Sequence, residues 1–288
     1  MLPLILQETV CSTLDELVGR EVHFKSWRPV GGGCISNGGM FSTSEGPYFL
    51  KFNTTNFFSA EADSLDLLAK TGTIAVPEVI STGTVEDHHY ILLEWITSNV
   101  QQANHWEHLG TNVAALHQVT GPFYGLKEDN FIGALPQVNT PSDNWTEFFI
   151  QNRLEPMLQS AEKKRYITPE IRKQFEKMYL ALPDLFPKEP PALLHGDLWT
   201  GNVLTGSNGE AVLIDPCVYY GHREAEIAFS YLFGGFSDEF YHAYNTVHPL
   251  AEGFEERKDI YNLYPLLVHL NLFGESYLFT IQSAIKRF

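Results

Sequence analysis

The chain has 288 residues, a formal net charge of −16 and a composition that is 44% hydrophobic and 13% aromatic. This length and apolar content allow a sizeable core, in one large domain or in two lobes. The negative charge argues against a nucleic-acid-binding or anionic-membrane surface, and no apolar run approaches the roughly 18 residues of a membrane span. We therefore expect a globular protein that binds neither nucleic acid nor membrane.

Two features predict a cytoplasmic protein. The apolar start of the chain, 1–6, is short, lacks a basic segment and soon meets Glu8, so a signal peptide is not expected. The cysteines Cys11, Cys34 and Cys217 are too scattered for a disulfide framework or a metal cluster, and free thiols suit a reducing compartment.

The chain up to residue 96 predicts short strands and one helix. The helix begins near Ser59, because a serine that can cap it precedes apolar residues at helical spacing, and it ends at Gly72. The other predicted elements, in chain order, are a glycine turn at 31–34, a strand at 48–52 and a strand at 89–93 that leads into a hinge at 94–98.

From residue 97 onward the pattern becomes mainly helical. The predicted helices begin near Trp106, at Ser142 or Asp143, at Thr168 and near Asp259, with strands around Val203 and at 212–214 between the last two. This order predicts an α+β, protein-kinase-like fold. We expect a small β-rich N-lobe at 1–96, a larger α-helical C-lobe at 97–288, and the active site in the cleft between the lobes.

The most specific motif is His-Gly-Asp-Leu-Trp-Thr-Gly-Asn at 195–202, followed by an apolar run that ends at Asp215. This pattern is typical of phosphoryl transfer. Asp197 would orient and deprotonate a hydroxyl group. Asn202 and Asp215 would hold Mg²⁺ on the nucleotide phosphates, so that the metal spreads the charge of the transferred group.

A nucleotide site in so acidic a chain needs local positive charge. Lys51, in the apolar strand at 48–52, could reach the α- and β-phosphates of ATP, and Glu61 could pair with it. Alternatively, Lys51 extends to water from an edge strand and Glu61 is a solvated helix residue. The remaining predicted nucleotide contacts are the backbone of Gly31, Gly32 and Gly33 in the loop 31–38, and the backbone of Glu94, Trp95 and Ile96 against adenine. The alternatives are an ordinary turn and an ordinary connector.

Aromatic residues near the motif predict a substrate pocket. Trp199 could pack on the apolar face of a sugar, and Tyr219 and His222 could contact the sugar or fix their loop. A structural role is the alternative for all three and is favoured for His222. His195 is expected to brace backbone.

Two further expectations concern charge and redox chemistry. Glu224 and Glu226 are explained by the dipole of the helix that they begin. Cys34, in the glycine loop, is a possible redox site whose oxidation would obstruct ATP binding, or it is an inert residue of a turn.

The chain resembles the fructosamine kinases, or ketosamine-3-kinases, over nearly its whole length. The matching segments are 31–34, 131–139, 194–202, 215–222 and 232–236. The tryptophan after His-Gly-Asp-Leu and the Tyr-Gly-His after Asp215 separate this family from choline and aminoglycoside kinases of similar fold. One departure is Cys217, where a small residue such as alanine is expected.

The resemblance implies a function. ATP and Mg²⁺ would serve to phosphorylate the 3-hydroxyl of ketosamines, which are fructosamine, ribulosamine or erythrulosamine adducts of small amines or protein lysines. The phosphorylated adduct eliminates and frees the amine, which is a deglycation repair activity. The resemblance also implies Asp197 as base, Asn202 and Asp215 as Mg²⁺ ligands, and Lys51 with Glu61 as the phosphate-positioning pair. We expect a monomer or weak dimer.

Three alternatives remain open from the sequence. One is a kinase of the same fold that acts on choline or an aminoglycoside. Another is a pseudokinase that binds nucleotide and partners without chemistry, although Lys51, Asp197, Asn202 and Asp215 are all present. The third is a hydrolase that uses two carboxylates, which would need no nucleotide and would leave Asn202 unexplained.

Overall fold

The computed structural model describes residues 2–31 and 36–288. The described strands β1 to β11 are, in chain order, Phe24–Pro29, Asn37–Thr43, Gly46–Asn53, Val79–Val85, His88–Glu94, Asn130–Ile132, Leu135–Gln137, Ala192–Leu194, Val203–Thr205, Ala211–Leu213 and Tyr219–Gly221. The described helices α1 to α11 are Leu4–Val18, Phe58–Thr71, His105–Leu116, Trp145–Phe148, Glu155–Lys163, Pro169–Leu185, Arg223–Ser230, Asp238–Val247, Phe254–Tyr261, Leu263–Phe273 and Leu278–Ile285.

Contacts divide the chain into two compact units. The first unit is Met1–His105 together with Val203–Asp215, and the second is Trp106–Asn202 together with Pro216–Phe288. The first unit therefore contains more than the N-lobe expected at 1–96, because it includes a hairpin from later in the chain.

The first unit is built on an antiparallel five-stranded sheet in the order β1-β2-β3-β5-β4. Successive side chains of a strand point to opposite faces. Leu50 and Phe52 of β3 accordingly pack with α1 on one face. Phe49 packs with α2 on the other face. Lys51 shares the α2 face with Phe49 because it lies two residues further along β3.

Two helices cover this sheet, and the sequence predicted only one of them. The predicted helix is confirmed as α2, which ends at Gly72 in the left-handed conformation. The expected cap at Ser59 is wrong, because the helix already begins at Phe58 and the side chain of its N-cap residue makes no capping hydrogen bond. The expectation of a single helix before residue 96 is wrong, because α1 buries Leu6, Val10 and Leu14 in the core. Their four-residue spacing is typical of a helix, and the prediction from sequence did not take it into account.

The hairpin of β9 and β10 belongs to the first unit. The backbone N–H of Leu213 donates to the Ala75 carbonyl at 2.9 Å. At the other end of the hairpin, the Asn99 side chain donates to the Ser207 carbonyl at 2.7 Å and the Gln102 side chain donates to the Asn208 carbonyl at 2.6 Å. The strand that leads to Asp215 is thus held at both ends.

The second unit is mainly helical, as predicted. The helix near Trp106 is confirmed as α3. The helix at Thr168 is confirmed as α6, where the Thr168 side chain accepts a hydrogen bond from the Ile171 N–H. The expected start at Ser142 or Asp143 is wrong. Asn144 caps α4 instead by accepting from the Glu147 N–H, and a π-helical segment, Phe149–Leu154, follows α4.

The tail of the chain is helical, as expected, from α9 to α11. None of the helices in the described residues combines the length and apolar character needed to cross a bilayer.

Candidate active site

Lys51 lies between two carboxylates within the first unit. Its Nζ donates to Glu61 Oε1 at 2.7 Å and to Asp215 Oδ1 at 2.5 Å. Glu61 reaches it from the first turn of α2, which packs on the same face of the sheet. Burial alone would lower the pKa of Lys51, but the charges of Glu61 and Asp215 outweigh burial and raise it above the ordinary value. The lysine is therefore a fixed cation at neutral pH.

Asp215 follows β10 with an unusual backbone. Its φ is 55°, in the left-handed region that non-glycine residues seldom occupy. Such a conformation costs on the order of 1–3 kcal/mol and is concentrated at functional sites. The bond with Lys51 and the anchored β9–β10 hairpin hold the residue in this conformation.

Asp197 is held by Asn202 within the second unit. The Asn202 Nδ2 donates to the Asp197 carbonyl at 2.9 Å and to Asp197 Oδ2 at 2.7 Å. The single helical turn Thr200–Asn202 brings the two residues together. An amide nitrogen that donates twice to one residue fixes both its backbone and its carboxylate, so Asp197 has a defined orientation.

Glu226 of α7 holds the backbone of the loop that carries the motif at 195–202, which we call the catalytic loop. Its Oε2 accepts from the His195 N–H at 3.1 Å, and its Oε1 accepts from the Gly196 N–H at 2.6 Å. His117 Nε2 donates to the same carboxylate at 2.9 Å. Burial would raise the pKa of Glu226, but its bonds with His117 and Gly196 lower it below the ordinary value. A buried carboxylate thus fixes the two residues before Asp197.

Only glycine fits at position 196 without strain. Its φ is 88°, and a Cβ there would lie 2.1 Å from the Cys217 carbonyl oxygen. Cys217 in turn donates its N–H to the His195 carbonyl at 2.9 Å. The His195 side chain accepts at Nδ1 from the Asp197 N–H at 3.3 Å, which agrees with its expected bracing role. Cys217 is buried, and burial raises the pKa of its thiol. It behaves as a small core residue in the position where alanine was expected.

A cleft opens beside Asp197 in the second unit. Gly196, Asp197 and Glu226 form its polar part. Its other lining residues are mainly aromatic and apolar: Ile132, Phe149, Tyr219, Ala225, Phe229, Tyr261, Tyr264, Pro265, Val268 and His269. Burial raises the pKa of Tyr219 to about 12, so its hydroxyl is neutral at pH 7. The cleft thus surrounds the Asp197 carboxylate with aromatic and apolar side chains.

The family model described as fructosamine kinase matches residues 6–288. The chain belongs to the fructosamine kinase family. A probable ketoamine kinase of Synechocystis is 38% identical over 97% of this chain and 96% of its own. The crystal structure of a candidate fructosamine-3-kinase from Thermobifida fusca is 35% identical, with a TM-score of 0.86 over 96% of this chain and 97% of that one.

A more distant structure confirms the predicted fold. The aminoglycoside phosphotransferase APH(4)-Ia is 17% identical, with a TM-score of 0.63 over 97% of this chain and 98% of its own. The fructosamine kinase chain therefore has the α+β, protein-kinase-like fold that the order of strands and helices predicted.

The three residues predicted to bind substrate have different surroundings in the structure. Tyr219 lines the cleft with Asp197. Trp199 contacts Phe233, with ring centroids 5.8 Å apart. His222 is buried, stacks on Trp145 with centroids 4.6 Å apart, and shares a hydrogen bond of 2.9 Å with the Tyr261 hydroxyl. Burial lowers the pKa of His222 to about 3. These contacts support the structural alternative for His222.

The predicted nucleotide contacts are described only in part. Gly32, Gly33 and Cys34 lie outside the described residues, and Gly31 is exposed. In the predicted hinge, the Glu94 N–H donates to the Glu78 carbonyl at 2.9 Å. The other two residues expected to contact adenine, Trp95 and Ile96, are half-buried. Adenine recognition at 94–96 and a redox role for Cys34 stay predictions.

The residues expected to bind Mg²⁺ offer suitable ligand atoms. Asp215 has a carboxylate whose side chain is 42% exposed, and Asn202 has an amide oxygen opposite the nitrogen that binds Asp197. Mg²⁺ prefers such oxygen ligands and commonly takes one or two from protein and the others from phosphates and water. Among residues 2–31 and 36–288, no group of three or more His, Cys, Asp or Glu side chains could hold a metal.

Sequence reasoning missed two buried charges near Asp197. The Arg153 guanidinium lies 4.0 Å from the Tyr219 ring centroid and donates to Asn139 Oδ1 at 2.8 Å. Glu226 holds the catalytic loop, although the helix dipole alone accounted for it in the sequence. Neither residue has a local signal, because each acts on a segment distant in the chain.

We expect the substitution Glu226→Gln to destabilise the protein by about 1–3 kcal/mol, because one carboxylate oxygen becomes an NH₂ group and a buried N–H loses its acceptor. Urea unfolding measures the change, and Glu107→Gln, at an exposed position of α3, is the control. The kcat should fall as well, because the loop before Asp197 is no longer fixed. Equal stability of the two variants would contradict a supporting role for Glu226.

Proposed function

We propose that the protein transfers the γ-phosphoryl group of ATP to the 3-hydroxyl of ketosamines. The observation that carries the proposal is the setting of Asp197. This carboxylate is oriented by Asn202, sits on a loop fixed by Glu226, and lines a cleft of mainly aromatic and apolar side chains. Membership of the fructosamine kinase family and the similarity to a ketoamine kinase and a fructosamine-3-kinase support a ketosamine as the acceptor.

The chain's own residues divide the chemistry between them. Asp197 accepts the proton of the 3-hydroxyl as that oxygen attacks the γ-phosphorus, and ADP leaves with the electron pair of the broken bond. Lys51, held by Glu61, binds phosphate oxygens. Asn202 and Asp215 supply oxygen ligands for Mg²⁺, which when bound neutralises charge on the phosphates. The cleft beside Asp197 binds the sugar and excludes water.

The product explains how the reaction would repair glycated amines. Loss of a proton from C1 converts the C2 ketone into an enaminol, and the electrons of its C1–C2 double bond shift to C2–C3 as phosphate leaves from C3. The resulting imine at C1 is hydrolysed by water, which frees the amine. A ketosamine attached to a free amine or to a protein lysine would be released by the same chemistry.

A substrate panel tests the proposal. ADP release is measured with the fructose, ribulose and erythrulose adducts of lysine, with choline and with an aminoglycoside, and ³¹P NMR identifies the phosphorylated carbon. We expect turnover of ketosamines at O3, lost when Mg²⁺ is chelated. Turnover of choline or the aminoglycoside alone would refute the proposed substrate. Nucleotide binding with no turnover of any acceptor would instead favour a pseudokinase.

A further inference from the structure

Five rings form a continuous row in the second unit, which we call the aromatic row: Trp199, Phe233, His269, Phe273 and Tyr277. Phe233 contacts Trp199 with centroids 5.8 Å apart and His269 with centroids 4.6 Å apart. His269 in turn contacts Phe273 at 5.4 Å and Tyr277 at 5.1 Å. The row therefore links the catalytic loop, which carries Trp199, to the end of α10.

The aromatic row connects the cleft to the protein surface. At its inner part, His269 lines the same cleft as Asp197, and Phe233 contacts Phe229, another lining residue, at 5.9 Å. At its outer end, Phe273 is 50% exposed. Phe273 thus extends to the surface the series of rings that includes His269 in the cleft.

The rings of the row are uncharged at neutral pH. Burial lowers the pKa of His269 below the ordinary value. Its Nδ1 lies 2.7 Å from the Pro265 carbonyl oxygen, and because a carbonyl oxygen only accepts, Nδ1 carries the single proton. A neutral imidazole does not repel a cation, and aromatic faces attract ammonium groups and pack well on methylene groups.

The chemistry of a ketosamine determines what must lie next to the reacting hydroxyl. The amine nitrogen is bonded to C1, only two carbons from the C3 that carries the reacting oxygen. When that oxygen reaches Asp197, the amine and its substituent must leave the cleft close by. In a glycated lysine this part is a secondary ammonium, cationic at neutral pH, followed by four methylene groups.

We propose that the aromatic row binds the amine-bearing part of the substrate, namely the side chain of a glycated lysine. This inference rests on the proposed function and adds to it the site that recognises the amine. The inner rings contact the ammonium, and Phe273 packs on the methylene chain where it leaves the cleft. The net charge of −16 also favours a cationic substrate over an anionic one.

The test compares two ketosamines of one sugar, the adduct of methylamine and the adduct of Nα-acetyl-lysine. The variant is Phe273→Ala, and the matched control is Phe279→Ala, because Phe279 is 78% exposed in the following helix. We expect Phe273→Ala to raise KM for the lysine adduct about three- to tenfold and to leave the methylamine adduct unchanged. Phe279→Ala should change neither KM.

A second variant distinguishes the effect of the aromatic ring from the effect of side-chain volume. Phe273→Leu keeps an apolar side chain but removes the aromatic face, so it should raise KM for the lysine adduct by less than Phe273→Ala does. Unchanged KM values in Phe273→Ala, or equal increases for both adducts, would overturn the inference while the kinase activity stands. If the wild type phosphorylates neither ketosamine, the proposed function itself fails, and this inference fails with it.

Discussion

Replacing Asp197 with asparagine is expected to lower kcat about 10²- to 10⁴-fold, which is the usual contribution of a positioned general base. Asparagine has the same shape, and its amide oxygen can still accept from Asn202 Nδ2, which is 2.7 Å from Asp197 Oδ2. The loop contacts through Glu226 do not involve the replaced side chain. What is lost is a group that can take the proton of the acceptor hydroxyl.

This substitution should separate chemistry from folding and from nucleotide binding. The kcat is measured by ADP release, the dissociation constant of ADP by calorimetry, and the unfolding temperature by circular dichroism. Asp184→Asn, at an exposed position of α6, is the control for removing one charge from the same unit. A kcat within threefold of the wild type would exclude Asp197 as the base. A large fall in unfolding temperature would mean that the loss reflects folding.

Local patterns allowed part of the candidate site to be predicted. The strand at 48–52 and the helix that ends at Gly72 were predicted correctly, although Ser59 lies inside that helix and does not cap it. Strand alternation places Lys51 on the face that α2 covers. The contact with Glu61 follows from these two elements, since both are short-range features of the chain. Asp197 and Asn202 likewise lie within one loop, so the motif identified both residues, although it did not predict the hydrogen bond between them.

Contacts between residues distant in the chain could not be predicted from local sequence patterns. Glu226 and Glu224 lie in a helix of polar composition, which suggests a solvated surface, yet both are buried. Their charges are tolerated because His117 and the loop amides satisfy Glu226 and Arg257 satisfies Glu224. These partners are distant in sequence, and periodicity carries no information about them.

The aromatic row shows a related limit of sequence reasoning. Trp199 was singled out because it lies near Asp197 in the motif, and a sugar-stacking role was the expectation. The structure places its ring against Phe233 and continues the row to Phe273 in α10. Aromatic residues in separate helices form one surface only after the helices pack. The motif therefore identifies Trp199 but cannot predict which other rings lie beside it.

Lys51→Met is expected to lower kcat about 10²- to 10³-fold, comparable to the loss of one electrostatic stabiliser of a transition state. Methionine keeps the length and the apolar stem of the side chain. It removes the ammonium that bonds Glu61 at 2.7 Å and Asp215 at 2.5 Å, so two carboxylates lose their shared partner. Lys51→Arg should also be impaired, because a planar guanidinium does not reproduce both contacts.

A double-mutant cycle with Glu61→Gln tests how this lysine works. If Glu61 acts only by positioning Lys51, Glu61→Gln alone should reduce kcat less than Lys51→Met, and adding it to Lys51→Met should cost nothing further. Additive losses would mean that Glu61 has a separate role.

The raised pKa of Lys51 leads to a further prediction, that the lysine stays protonated through the neutral pH range. A group whose pKa is higher in the folded state contributes stability that is fully present below its unfolded pKa, which is ordinarily 10.5, and lost as the pH rises beyond that value. Between pH 6 and 9, therefore, Lys51 of the wild type should stay protonated, which NMR of its Cε resonance measures. Titration of that resonance in this range would show that Lys51 is not the fixed cation that phosphate binding requires.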